Sequence, residues 1–560
     1  MKSNVYDYQL TIDKIIEWAS YAYPDQEIVY APPKATKIRL TYSKLNERVK
    51  RMASIIENFR IKAGDKDNLG TRIGVMDWNT SRFLELYYAI PITGAIMHTV
   101  NVRLSPEEIA YTINLAEDEI IFTNEDFIPL LTSLLPKLPT VKKVVVMSDR
   151  NENINIRLPN VELYEYEKLI REGNPNYTPP ELNENTIATL VFTSGTTGLP
   201  KGTYFRHRDI VLHSIVVNAG VWNAPPLNLT NKDVWLQIPP LFHAHGWGTP
   251  YSTLLIGIKS VYPGRYDWDN IIRIIKEEGV TYTAGVPTML YLIINSPEMV
   301  NYDLRGFKFV VAGQAIPRGL YEDAKKRGIL ITQGMGMTET APLMGGLTLK
   351  PKMENWPEER KEEYILYRAG RPAPLVFVRV VDSSMKDVTR DGKSIGEIVV
   401  RAPWMTRGYY KEPKKTEESW NEGWFLTGDL GTWDEEGYIA YIDRVKDVIK
   451  SGGEWIPSTK LEDLISIHPG VAEVAVIAAK HEKWVERPIA IIIPKNEYKG
   501  KLTENDIIQH LTKFVNQGAI PKWWIPDKII ILEGELPKTS TGKTDKKVLR
   551  EKFSNILAQK

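Results

Sequence analysis

Ile187-Ala-Thr-Leu-Val-Phe192, followed at once by Thr193-Ser-Gly-Thr-Thr-Gly-Leu-Pro-Lys-Gly202, decides how the chain is read. The first six residues are mostly aliphatic or β-branched and predict a buried strand. In the loop, Gly195, Gly198 and Gly202 let backbone N–H groups turn toward an anion without Cβ interference. Thr193, Ser194, Thr196 and Thr197 add side-chain donors, and Lys201 adds a cation. Such a set suits the β- and γ-phosphates of a nucleotide. A lone Gly-Thr-Thr-Gly is more often a solvated turn; the whole string after a strand favours phosphate.

Strand and helix patterns alternate on the N-terminal side of this loop. Arg72-Ile-Gly-Val-Met76 and Lys143-Val-Val-Val-Met147 read as short buried strands, and Ser43 to Phe59 has apolar residues at helical spacing. Ser105-Pro-Glu-Glu108 opens a helix with a serine cap, proline at the first position and acidic residues in the first turn. Gly173 to Asn185 reads as a linker. Beyond the loop the α/β pattern continues through Thr281 to Ile331, then gives way between Gly370 and Tyr441 to short β segments split by turns. A last unit mixes strands (Val471 to Ala478, Ala490 to Ile493, Lys528 to Leu532) with helices (Glu504 to Val515, Lys546 to Ala558). The expected class is α/β. A large N-terminal domain of layered α/β subdomains, with a small β-rich subdomain, spans residues 1–443, and a small α+β domain spans 444–560.

Bulk composition narrows the function. A chain of 560 residues exceeds one hydrophobic core, so more than one domain is expected. With 71 basic against 70 acidic residues, nothing draws it globally to nucleic acid or anionic membrane. Zero cysteines exclude disulfides, thiolate metal sites and cysteine nucleophiles, so any thiol chemistry uses a thiol from a substrate or partner. The N-terminal 30 residues lack a signal-peptide core, and no apolar run reaches the roughly 18 residues of a membrane span. The expected compartment is the cytoplasm; self-association into a homo-oligomer is left open.

Two other strings imitate nucleotide motifs. Pro537-Lys-Thr-Ser-Thr-Gly-Lys-Thr544 nearly fits a Walker loop, but its first glycine is replaced by Pro537, which has no N–H and a fixed φ. His207-Arg-Asp209 imitates a kinase catalytic loop, yet Ser214 stands where the metal-binding Asn belongs and no Asp-Phe-Gly follows.

The loop 193–202 resembles the phosphate loop of the adenylate-forming superfamily, which includes acyl-CoA synthetases, luciferases and peptide-synthetase adenylation domains. Gln333-Gly-Met-Gly-Met-Thr-Glu-Thr340 is similar to its adenine and Mg²⁺ motif, and Leu426-Thr-Gly-Asp429 and Tyr441-Ile-Asp-Arg444 to its ribose motifs. Lys446 matches the hinge, Lys450-Ser-Gly-Gly-Glu454 the loop after it, and Lys543 the catalytic lysine. The resemblance implies ATP, Mg²⁺ and coenzyme A. It assigns the nucleotide to Thr193–Gly198, Lys201, Gly313, Gln314, Ala315, Gln333, Gly334, Met335, Gly336, Met337, Thr338, Asp429, Arg444 and Lys543. Glu339 and Thr193 would hold Mg²⁺, and Ser451, Gly452, Gly453 and Glu454 would line the CoA channel. Catalysis falls to Lys543, Thr193 and Glu339.

The acyl pocket follows from the same resemblance: Phe242, His243, Trp247, Gly313, Gly336 and Met337. Amino-acid-activating relatives carry Asp where this chain has His243, so an amino-acid substrate loses its counter-ion. His243 and His245 also form an H-x-H pair, read as pocket lining because no third ligand is near. His98 to Ser105, Gly453 to Ile456 and Lys483 to Pro488 resemble the medium- and long-chain fatty-acyl-CoA ligase branch. Acetate-activating relatives have Trp at the position of Gly336, which implies room for a longer acid. An adenine-stacking aromatic of the family is replaced here by Met335, open to a second reading as core filler. The expectation is an AMP-forming ligase for a short- to medium-chain fatty or hydroxy acid. Its rivals are a long-chain ligase, an enzyme that loads a carrier protein, and a non-catalytic nucleotide-binding module.

Overall fold

Strand Ile187–Phe192 lies one place from the edge of a seven-stranded sheet and leads directly into the glycine-rich loop. The computed structural model describes residues 6–149, 157–193, 199–346, 348–452, 454–539 and 543–558. The sheet runs Glu162–Glu165, Lys143–Met147, Ile120–Asn124, Arg72–Met76, Ile96–Thr99, Ile187–Phe192, Gly202–Arg206. Every neighbouring pair is parallel except the last. The glycine-rich loop is therefore the tip of an antiparallel hairpin in which Phe192 faces Gly202. A Walker loop instead passes from a strand into a helix.

A second, nine-stranded sheet carries the other half of the site. From Tyr30 to Ala312 its inner strands (Glu27–Tyr30, Lys259–Tyr262, Val234–Leu236, Tyr282–Gly285, Lys308–Ala312 and Leu330–Gly336) pair in parallel, with antiparallel strands at both edges. Ile73 and Val75 of the first sheet and Ile28 and Tyr30 of the second share one apolar cluster with helices Tyr42–Asn58, Ser81–Ala89 and Thr249–Ile256. Side-chain caps open helices Tyr42–Asn58 and Pro106–Ala116. Thr41 accepts from the Lys44 N–H at 3.1 Å, and Ser105 with Glu108 forms the expected capping box.

Residues 377–444 form an antiparallel sheet of Phe377–Val381, Gly396–Arg401, Trp420–Asn421, Trp424–Trp433 and Ile439–Arg444. The short segment Arg371–Pro372, inside the stretch read as β-rich, instead extends the nine-stranded sheet. Beyond it, Ile449–Ser451, Glu454–Ile456, Val471–His481, Val485–Pro494 and Lys528–Ile531 build a mixed sheet. Helices Ser458–Ser466, Glu504–Asn516 and Lys546–Phe553 cover it. Its two apolar clusters draw only on residues 449–557, while the buried members of the other clusters stop at Ile439. The apolar cores thus divide between Ile439 and Ile449. No described helix is long and apolar enough to cross a membrane.

Candidate active site

Strand pairing brings the two ribose-type residues together. Asp429 and Arg444 face each other across adjacent antiparallel strands, with Arg444 Nε 3.3 Å from Asp429 Oδ1. Burial raises the Asp429 carboxyl, opposed by Arg444 and then by Lys543. Lys543 comes from the last unit of the chain and enters this same cleft. Its Cε lies 2.7 Å and its Nζ 3.2 Å from where a Cβ on Gly313 would stand. Gly313 has φ +84°, a conformation that glycine adopts without penalty, and the missing side chain is the space the lysine fills. Burial, with the Arg444 cation adding to it, pushes Lys543 down to about 8. Lys446, between the two units, is lowered to about 8 by the same causes.

A second group gathers at the hairpin tip. Thr193 N–H donates to the Lys201 carbonyl at 2.8 Å, which closes the loop's base. Lys201 Nζ sits 4.7 Å from the centroid of the Tyr409 ring, whose hydroxyl donates to Glu339 Oε1 at 2.8 Å. Tyr409 thereby joins the loop's cation to the proposed metal carboxylate. Nothing in the reading of the sequence singled it out; its signal would have been the aromatic pair Tyr409-Tyr410 closing the Met405-Thr-Arg-Gly408 turn. Ser194, Gly195, Thr196, Thr197 and Gly198 lie outside the described residues, as does Gly453.

The acyl segment adopts an unusual backbone. Ala244, His245, Gly246, Trp247 and Gly248 all have positive φ (45°, 54°, 56°, 64° and 76°), one turn of left-handed helix. At ~1–2 kcal/mol per L-residue, Ala244, His245 and Trp247 together cost about 3–6 kcal/mol. The surroundings must offset this. The turn leaves Phe242 buried and His243 and Trp247 half-buried. Burial and the Lys543 ammonium push His243 down to about 4, so its imidazole is neutral at pH 7. His245 is turned the other way and meets Thr189 Oγ1 at 2.8 Å through Nε2. Among the described residues no cluster of three His, Asp or Glu could hold a metal.

Several assigned residues are placed differently from what the motif implies. Gly336 stands at a strand bulge where a Cβ would lie 2.1 Å from the Pro342 carbonyl oxygen. Backbone crowding explains this glycine, so it does not measure the depth of an acyl pocket. Gln333 spends its amide on the Ile365 and Leu366 carbonyls at the end of helix Glu358–Tyr367. Met335 is buried in the main core with its Cε near Gly345, which is the core-filler reading. Gly334, Met337 and Thr338 continue this strand toward Glu339, while Gln314 and Ala315 are exposed beside Gly313. Ser451 and Gly452 form the tip of a hairpin in the last unit. Gly452 is packed on Trp484, and Ser451 Oγ accepts from Arg487 at 3.2 Å. Lys546, read as a solvated tail lysine, instead pairs with Glu462 at 2.7 Å and donates to Ser458 Oγ at 2.7 Å. Lys547 is exposed.

A half-buried lysine beside an Asp–Arg pair, with a glycine-rich hairpin whose lysine is joined through Tyr409 to Glu339, is the arrangement a nucleotide-using adenylating enzyme requires. Comparison with known proteins places it further: the chain belongs to the AMP-binding enzyme family, which matches residues 16–410, with the AMP-binding enzyme C-terminal domain matching 460–543. It is 37% identical to a long-chain-fatty-acid–CoA ligase of Thermus thermophilus over 556 residues, covering 99% of this chain and 97% of that one. It is 34% identical to a medium-chain-fatty-acid–CoA ligase of Ectopseudomonas oleovorans, with 98% and 97% covered. The fold matches the crystal structure of the anthranilate CoA ligase AuaEII in complex with anthranoyl-AMP, at a TM-score of 0.83, 22% identity and full coverage of both chains.

Proposed function

We propose that the chain is an AMP-forming acyl-CoA ligase acting on a short- to medium-chain carboxylic acid. The observation that carries this reading is Lys543 seated against Gly313, between the Asp429–Arg444 pair and His243. In the first half-reaction a carboxylate oxygen of the acid attacks the α-phosphorus of ATP, and the bond from that phosphorus to the α,β-bridging oxygen breaks, so that pyrophosphate leaves with the bridging oxygen and the electron pair. Lys543 places a positive charge between the two anions that must approach. At ~4 Å and an effective dielectric near 20 this is worth about 4 kcal/mol. Asp429 accepts the ribose hydroxyls and Arg444 holds Asp429 in place. Lys201 and the hairpin bind the departing phosphates.

The donors near Glu339 fit Mg²⁺. Glu339 and Thr193 offer the hard oxygens that an ion shared with phosphates takes, and among the described residues no cluster of three carboxylates or histidines forms a cage of its own. Such an ion neutralises phosphate charge when bound.

In the second half-reaction the thiol of CoA attacks the acyl carbon and AMP leaves with its oxygen. Lys543 occupies the cleft as the first step requires, so the thiol needs another arrangement. We place the boundary at residues 443/444, with Lys446 as the hinge about which the C-terminal domain turns to bring Ser451–Glu454 to the cleft. The separate apolar cores on either side support this division. ATP and CoA are cytoplasmic metabolites, which supports that compartment.

A long-chain acid is the second reading, favoured by the 37% relative. AMP release should require both acid and CoA in a scan of straight-chain and hydroxy acids. Acid-dependent pyrophosphate exchange without any CoA-dependent AMP release would sink the ligase reading in favour of carrier-protein loading.

A further inference from the structure

The left-handed turn Ala244–Gly248 carries no buried charge and only two glycines, so something outside it must hold it. Gln237, fully buried just beyond strand Val234–Leu236, uses its whole amide for this purpose. Its Nε2 donates to the Gly246 carbonyl at 3.2 Å and to the Pro239 carbonyl at 2.7 Å. Its Oε1 accepts from Trp235 Nε1 at 2.9 Å and from Thr249 Oγ1 at 2.5 Å. Indole N–H is a donor only, so the amide cannot be flipped, and all four of its hydrogen bonds are made. Thr249, first residue of the helix after the turn, also lies 2.8 Å from the Gly246 carbonyl. A Cβ on Gly246 would come within 3.3 Å of Gln237 Nε2 and 2.8 Å of Leu241 Cδ2, so amide and turn are mutually fitted. On the far side Asn79 donates to the carbonyls of Gln237, Ile238 and Pro239 and accepts from Leu241 N–H at 2.9 Å.

We propose that Gln237, acting with Thr249, is a positioning residue for the acyl site. It pins the Gly246 carbonyl, and through the left-handed turn it sets where His243 and Trp247 face the bound acid. This rests on the reading of Phe242, His243 and Trp247 as the acid-facing segment. The role is specific to the acid: the segment Gln237–Thr249 contains none of the residues assigned to phosphate, ribose or magnesium.

The test compares Gln237→Met, Thr249→Val and Thr249→Ser in the full-length enzyme, using the straight-chain acid that wild type turns over best. Three quantities are read: kcat and KM for the acid, and the Kd for ATP without acid. Gln237→Met should raise the acid KM at least tenfold and lower kcat, with the ATP Kd within twofold of wild type. Thr249→Val should move the same parameters less, and Thr249→Ser, which keeps the hydroxyl, should return them toward wild type. Equal worsening of acid and ATP parameters, or an unchanged acid KM in folded Gln237→Met, overturns the proposal. Should Gln237→Met fail to fold, the Thr249 pair decides: Val and Ser behaving alike overturns it, and a split supports it. Failure of the parent reading shows separately, as wild-type enzyme that makes no AMP in response to any acid.

Discussion

Two lysines reach the cleft from different parts of the molecule, and they are held in different ways. Lys201 belongs to the hairpin that closes on Thr193, and it rests on the Tyr409 ring within the larger unit. Lys543 is anchored in a separate apolar core and reaches the cleft only through a notch left by Gly313. Its amine is lowered to about 8, the mark of a cation placed in a site before the anions that will neutralise it. The contrast leads us to propose that Lys201 stays with the larger unit throughout, whereas Lys543 serves the first half-reaction.

Removing Lys543 gives the largest effect. Lys543→Ala should cut acid-dependent ATP–pyrophosphate exchange by about three decades, from the ~4 kcal/mol of the missing charge, with thioester formation from preformed acyl-AMP largely kept. Closing the notch comes next. Gly313→Ala puts a Cβ against the lysine and strains a positive φ, costing ~1–3 kcal/mol, so exchange should fall about tenfold to a hundredfold with the second step again spared. On the Lys201 side, Tyr409→Phe removes one hydrogen bond to a carboxylate, worth ~1.5–3 kcal/mol. The KM for Mg·ATP should rise about tenfold, in both exchange and the overall reaction, while the acid KM stays near wild type.

The smallest effect is in pH. Because the pKa of Lys543 is depressed, the charged form is present below about pH 8 and lost above it. The exchange kcat/KM should therefore fall on the alkaline side with a midpoint of about 8, and Lys543→Arg should move that limb to higher pH. His243, lowered to about 4, adds no limb between pH 6 and 8.

The sequence carried the strands because β-branched runs such as Lys143–Met147 and Ile187–Phe192 are buried on both faces of parallel sheets and leave no alternation to misread. Family resemblance named Asp429, Arg444 and Lys543, and the fold brings the three to one place. What it did not carry depends on contacts between distant segments. Gly336 invited a pocket-depth argument, yet the reason for the glycine is a carbonyl at Pro342 brought close by a bulge. Lys546 looked like tail charge until Glu462, 84 positions away, came beside it. Tyr409 and Gln237 act through partners on other strands. The left-handed turn is hidden because Ala, His and Trp give no sign of a positive φ; only the network around them compels it.

The central claim is that the arrangement with Lys543 at Gly313 serves the first step alone. Lys460 Nζ, in the C-terminal unit, lies 5.5 Å from the ring centroid of Tyr367 in the larger one. The chain has no cysteine, so thiols introduced as Tyr367→Cys with Lys460→Cys would be the only two. A short bis-maleimide with a reducible centre would tether the units as they stand. The account predicts that the tethered enzyme keeps acid-dependent pyrophosphate exchange, loses thioester formation from acyl-AMP, and regains it on reduction. Tethered enzyme that forms the thioester at the rate of the untethered double variant would contradict it.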